Sequence, residues 1–407
     1  MAKTFAYKAK DRAGRLMAGT ILAENEAAVA TFIRDKGYYV TQIKTQQEQN
    51  FFISFLGNLQ QVSTKELAVI CRQFSTMIDA GISLIACLNI LIDQTYNSKI
   101  KTAFKDIYLK VQQGETLSRA MGSHPKIFPE IMVSMIEAGE VGGVLDDILN
   151  RLAIHFEKEH KMNEKLKSAM TYPLLVISLA VLAVIFILTF VLPTFVQLFI
   201  SLKAELPLPT RILLSISGIL QNYWPCLLVV LGIAGYGFAA LARIPQGEML
   251  ISQIILRMPV FGMLWRKVAI ARFSRTLGTL IRGGIPILIA LETVRNTTAN
   301  IGMTTALTTA QASVRKGLGL ATPLSKSKIF TPMVIQMVAI GEASGELDKM
   351  LDKVADFYES DVDHLVNRLG SLIEPILISV LGAIIGFIII SVLLPMFDLI
   401  SNVRNAI

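Results

Sequence analysis

Uncharged stretches divide the chain. Between Lys167 and Lys203 there is no acidic or basic residue, and the run from Pro173 to Leu192 is apolar. That run supplies roughly the 20 residues a helix needs to cross a bilayer core. A second run, Pro375 to Phe397, lies between Glu374 and Asp398 and would extend about 34 Å as a helix. A third stretch, between Arg211 and Arg243, is longer than one crossing requires. With Tyr223 and Trp224 as interfacial anchors, a span is placed at Tyr223 to Ala242. Pro209 to Leu220 is then expected as a short helix on the outer surface.

Elsewhere the apolar positions follow other periods. Phe5 to Lys10, Leu16 to Leu22 and Tyr38 to Ile43 read as strands, with a turn at Asp11 to Gly14 and a helix capped by Asn25 and stopped at Gly37. This predicts a β-β-α-β module. After a polar linker, Phe51 to Leu59 is either an amphipathic membrane-surface segment or a strap on the next domain. From Ser63 the period is helical: Ser63 and Glu66 have capping-box spacing, and Leu67, Ile70, Phe74, Met77 and Ile78 share a face that ends at Gly81. Further helices are predicted at Leu84 to Ile92, Ser98 to Gln113, Thr116 to Met121 and Pro129 to Ala138, with Pro129 in the first turn.

The pattern then repeats. Displacement by 202 positions puts Gly139 on Gly341, Glu140 on Glu342, Gly143 on Gly345, Leu145 on Leu347, Pro173 on Pro375 and Pro193 on Pro395. Upstream, Arg275 to Pro286 answers Arg72 to Ser83 at a displacement of 203, so one residue is lost in a loop, and Thr331-Pro332 is read as the match of Phe128-Pro129. One unit, polar helices feeding an apolar span, has been used twice. The fold class is therefore a mostly α membrane protein: a small N-terminal α+β module, two repeated cytoplasmic bundles of about six helices each, and three transmembrane helices. The expected layout is module 1–45, linker 46–62, first bundle 63–170, span 171–193, outer loop 194–221, span 222–242, second bundle 243–370, span 371–397 and outer tail 398–407.

Composition agrees with that class. The chain of 407 residues is 53% hydrophobic and only 17% charged, with mean hydropathy +0.54, more apolar surface than a soluble core of this size needs. A net charge of +8 could suggest nucleic acid, but the basic residues are scattered through helices without an aromatic-interleaved stripe, so no direct nucleic-acid contact is expected. Lys165, Lys167, Arg243 and Arg368 stand at span ends, which places the module and both bundles on the cytoplasmic side and the C-terminus outside. No apolar run opens the chain, so no cleavable signal peptide is expected. Cys71, Cys87 and Cys226 have no paired spacing and fit a reducing compartment, with Cys226 expected in lipid or packing.

No chemistry is evident. A phosphate-binding G-x-x-x-x-G-K-[ST] loop and a G-x-S-x-G elbow are both missing from the sequence. His124, His155, His160 and His364 lack ligand spacing and are expected on helix surfaces. No cofactor and no metal is expected.

The duplicated bundle, the Gly-Glu-x-x-Gly-x-Leu-Asp turns, Tyr172-Pro173 and Glu374-Pro375 at span entrances, and the Pro193 and Pro395 exits resemble the type II secretion system F / type IV pilus inner-membrane platform family. The resemblance covers essentially the whole chain. It implies a non-enzymatic scaffold in the inner membrane of a bacterium, joining a cytoplasmic hexameric assembly ATPase to pilin or pseudopilin subunits. It also implies other inner-membrane assembly proteins as partners and a homo-oligomer in contact with lipid. A transporter subunit driven by a separate ATPase is the alternative, disfavoured by the lack of an ionisable residue at mid-bilayer depth.

Within that frame, Gly139 and Gly341 are expected to end one helix in a left-handed conformation, and Gly143 and Gly345 to let the next begin. Glu137, Glu140, Glu342 and Glu346 are candidate partner contacts on cytoplasmic loops. Gly382 and Gly386, with Gly235 and Ala239, offer small-residue faces for packing between spans or with another subunit. Glu374 is expected to be solvated at the interface or paired with Arg368, or else to contact a subunit.

Overall fold

The computed structural model describes residues 3–10, 16–23, 26–35, 37–45, 62–195, 208–241, 258, 261–298 and 300–405. The expected turn at 11–14, the Asn25 cap and the Phe51 to Leu59 segment lie outside these residues.

The N-terminal module has β1 (Lys3–Lys10), β2 (Leu16–Ala23), α1 (Glu26–Asp35) and β3 (Tyr39–Thr45). Both neighbours pair antiparallel with β1, giving the order β2-β1-β3, with an irregularity in the β1-β3 register between Lys8 and Ala9. Ala9, Val29 and Ile33 form its core. Gly37 takes φ 80° just past α1, where an L side chain would be strained.

The first repeat comprises α2 (Thr64–Asp79), α3 (Leu84–Gln94), α4 (Ser98–Gln112), α5 (Leu117–Gly122), α6 (Glu130–Gly142) and α7 (Leu145–Phe186). Polar caps set these starts: Ser63 and Glu66 exchange bonds of 2.9 and 3.2 Å, and Ser83, Asn97 and Thr116 cap the next three helices. After a helix α8 (Leu208–Leu241), the second repeat comprises α9 (Phe261–Arg282), α10 (Ile287–Thr297), α11 (Ile301–Arg315), α12 (Ala321–Ser325), α13 (Pro332–Ser344) and α14 (Leu347–Asn405). One hydrophobic cluster runs through both repeats.

The structure corrects the expected alignment around Pro129. This residue is the N-cap of α6 and not its first turn, while Thr331 holds that place for α13 with Pro332 inside the helix. Thr331 therefore answers Pro129, and the lost residue falls in the turn after α5.

The long helices carry the apolar runs. Across Leu145–Phe195 and Leu347–Leu393 the most apolar windows have mean hydropathies of 3.2 and 3.0, yet only 6% and 11% of them is buried. Such surface needs lipid or a partner. Among the described residues these are the two helices long and apolar enough to cross a membrane. Of the expected middle span, Tyr223 to Leu241 is the second half of α8, which breaks at Tyr223 (φ −119°, ψ 15°) beside Pro225. Its first half packs on the two long helices, where Leu213 lies with Leu188, Leu192 and Ile388.

Candidate functional site

The two Gly-Glu turns are where each bundle is fastened to its long helix. Gly143 (φ 68°, ψ 23°) and Gly345 (φ 72°, ψ 11°) are the left-handed C-caps of α6 and α13. Gly139 and Gly341 are not; both lie inside the helices, and close approach is what demands glycine there. A Cβ on Gly139 would sit 3.0 Å from Ile148 Cγ1, and one on Gly341 would sit 2.8 Å from Leu347 Cα. The missing side chains let the long helix double back against α6 or α13.

Glu140 and Glu342 lie on helices as well, and their carboxylates point into the bundle. Leu117 N and Ser118 N donate to Glu140 at 2.6 and 3.0 Å, and Ser118 Oγ donates at 2.5 Å. In the second repeat Leu320 N and, at 3.0 Å, Ala321 N donate to Glu342. Each glutamate caps the short helix α5 or α12 from a distance in sequence, satisfying amides that lack intrahelical partners. Ser118 Oγ has its counterpart in an alanine, so the second cap has one donor fewer.

Of the other candidate contacts, Glu137 is exposed on α6, and Glu346 is exposed between α13 and α14 with its carboxylate 2.5 Å from Lys349 Nζ. This ion pair raises the Lys349 pKa above its usual value.

An arginine fork ties α2 and α9 to the long helices. Arg72 donates to Glu157 at 2.9 and 3.0 Å and to Asn150 at 2.5 Å. Arg275 occupies the same place and binds Asp352 at 3.1 Å, Glu359 at 2.8 Å and Asp356. The long helices are tied to each other by Lys158–Asp356 at 2.8 Å and by Lys165–Asp363, both 198 residues apart. A constant offset means that α7 and α14 run parallel. Burial alone would raise the Asp356 pKa, but the bonds from Lys158 and Arg275 hold it below the usual carboxylate range.

His155 corrects the helix-surface expectation. It is 5% exposed, its Nδ1 has no hydrogen-bond partner, and burial beside Arg275 lowers its pKa to about 4. It lines a cavity of about 280 Å³ between the repeats, with Glu159, Arg272 and Asn300. Glu159 is pushed up by burial. A single sequence gives no sign of this, because the cover comes from the other repeat.

Toward the far ends of the two long apolar helices, Pro193 and Pro395 leave the same gap in the backbone ladder and meet the same remedy. Pro193 has no N–H for the carbonyl one turn earlier, at Thr189, and a π-helical turn (Ile187–Val191) precedes it. Gln221 Nε2 donates to Thr189 O at 2.9 Å, and Ser217 Oγ to Leu188 O at 2.5 Å. In the second repeat Pro395 leaves Ser391 O short in the same way, and Thr210 Oγ1 donates to it at 2.5 Å. One face of α8 thus mends both spans, as backbone in lipid requires. Neither the π turn nor this repair was foreseen, although the paired prolines were the signal for it.

Pro173 is buried within an unbroken α7, whereas Glu374 and Pro375 are exposed where α14 would enter the membrane. Glu374 shares an interfacial cleft with Lys165, Tyr172 and Asp363. Among the described residues, and apart from each glycine's own helix backbone, nothing lies within 4 Å of a Cβ built on Gly235, Gly382 or Gly386. Ala239 and Pro395 lie on α8 and α14, with side chains outside the described residues. Cys71 and Cys87 are buried, and Cys226 is exposed on α8.

Among the described residues no cluster could hold a metal ion. The arrangement is mechanical: bundle, turn and long helix are locked together at three points in each repeat.

Comparison with known proteins adds identity to this geometry. The family described as type II secretion system (T2SS), protein F, matches residues 70–193 and 273–395, the two repeats, and its N-terminal domain family matches residues 1–44. The chain is 39% identical over 400 residues to the type IV pilus assembly protein PilC of Myxococcus xanthus, covering 98% of this chain and 96% of that one. It is 40% identical over 401 residues to the protein of that name in Thermus thermophilus, covering 98% of each. It is 32% identical over 397 residues to the type II secretion system protein F of Xanthomonas campestris, covering 97% of this chain and 98% of that one. With both repeats and the N-terminal module accounted for, this chain belongs to the type II secretion system protein F family.

Proposed function

We propose that the chain is the inner-membrane platform of a type IV pilus or type II secretion machine. It is a non-enzymatic scaffold that couples a cytoplasmic assembly ATPase to the insertion of pilin or pseudopilin subunits into a fibre. The observation that carries this is the direct fusion of each clamped bundle to a parallel apolar helix. Load on a bundle passes into the membrane without a hinge. α7 and α14 would extend about 63 and 88 Å at the helical rise, enough to cross a bilayer and still reach well into the cytoplasm. Family membership supports the machine, and the second half of α8 is the third crossing in this reading. Glu137 and Glu346, not the capping Glu140 and Glu342, are the glutamates left to meet a basic face of the motor.

An in-frame deletion in the source strain tests the function. Loss of surface fibres or of fibre-dependent secretion, restored by the wild-type gene, is expected. Retained fibres and secretion with a defect in solute uptake would favour the transporter reading instead.

A further inference from the structure

The joint between the repeats is head to tail. The first helices of repeat 2 lie against the last helices of repeat 1: Arg272 of α9 donates to Asn163 of α7 at 2.6 Å, Asn296 of α10 to Glu130 of α6 at 3.2 Å, and a Cβ on Gly283 would meet Met135 Cε at 3.2 Å. A two-fold joint would also set Val69 against Leu365 within the chain. Yet no substantial packing of α2 or α3 on α13 or α14 occurs among the described residues.

Each repeat therefore owns a head and a tail, and one of each is left over. Matched residues show the difference. On the heads, Ile285 is 6% exposed and its counterpart Ile82 is 36% exposed; on the tails, His155 is 5% exposed and its counterpart Phe357 is 52% exposed. The free head of repeat 1 also carries Val69 at 46% and Tyr96 fully exposed. Where the joint pairs Arg272 with Asn163, the two free faces offer Val69 and Leu365, an apolar pair in the same geometry.

We propose that the free head of repeat 1 receives the free tail of repeat 2 from a second copy of this chain, in the arrangement already used inside the chain. A heterologous contact repeated about one axis closes into a ring when its rotation divides the circle. Because α7 and α14 are parallel, that axis runs along the membrane normal, so every copy stays in one bilayer. The proposal rests on the membrane-spanning reading for this axis, and not on coupling to a motor.

The test is cross-linking of the full chain in membranes, in a Cys226→Ser background. A copy carrying Val69→Cys is co-expressed with a differently tagged copy carrying Leu365→Cys, and a short bismaleimide is added. The mixed pair should cross-link and neither copy should cross-link to itself, while a chain carrying both substitutions should give a ladder beyond the dimer. Phe357→Asp should remove most of the mixed product. A chain with Asn163→Cys and Arg272→Cys, cross-linked internally, reports that the bundles are folded. With that control intact, self-cross-linking of Val69→Cys copies, capture of the head by the N-terminal segment of its own chain, or lack of the mixed product would each overturn the proposal. Fibre assembly is scored separately, so a failed ring and a failed functional assignment are told apart.

Discussion

Arg72 and Arg275 do the same work at the same place in the two repeats, but their surroundings differ. The Arg72 side chain is 42% exposed and meets one carboxylate and one amide; that of Arg275 is 10% exposed and meets three carboxylates. The extra acids compensate for burial under the first repeat. Duplication supplied a common frame, and the joint between copies then set how much each inherited contact is worth.

Truncating the forks should break this comparison most sharply. Arg275→Ala takes one cation from three acids, of which Asp356 keeps Lys158 and Asp352 keeps Arg282, and should cost about 3 kcal/mol, the low end for a broken buried pair, whereas Arg72→Ala should cost under about 1 kcal/mol. Thermal unfolding of the detergent-solubilised chain measures both. Equal losses would show that burial does not distinguish the repeats.

The tail position is the next lever. His155 stays neutral when folded, with a pKa of about 4 against 6.5 for a free histidine. Between these values the unfolded chain takes up a proton that the folded chain refuses. Stability is therefore full above pH 6.5 and falls as the pH drops toward 4, by about 3 kcal/mol from this group. Glu159 and Arg275 face the same ring and remain in a His155→Phe chain, which copies the residue at 357. That variant should lose the histidine's share of the slope, read as the difference in melting between pH 7 and pH 5.

The smallest effects concern the capping glutamates. Glu140→Ala and Glu342→Ala should each cost about 1 kcal/mol, with Glu140 the larger because Ser118 Oγ loses its shorter bond too and keeps only Thr116 Oγ1 at 3.3 Å. Melting of the two variants side by side would show the order.

Much of this architecture was legible in the sequence because its signals are local or periodic. The Ser63–Glu66 box, the N-terminal strands and the apolar runs each depend on a few neighbouring residues. What could not be read depends on distant parts of the chain. Glu140 looked like a loop carboxylate because the amides it caps lie 22 and 23 residues earlier. His155 looked like a surface residue because the second repeat covers it. Gly139 was assigned the conformational role that belongs to Gly143, since spacing alone does not separate a glycine needed for its φ from one needed for lack of bulk.

The π turn at Ile187–Val191 has a consequence for angular phase. A wider turn takes up one residue more than an α-helical turn, so all that follows lags by roughly 100° about the axis. Leu192 to Phe195, the outermost turn described for the first span, is thus rotated away from where an uninterrupted helix would aim it. The second span keeps α-helical geometry through its matching stretch. Two apolar helices copied from one ancestor therefore end clocked differently, and present two distinct faces at that level.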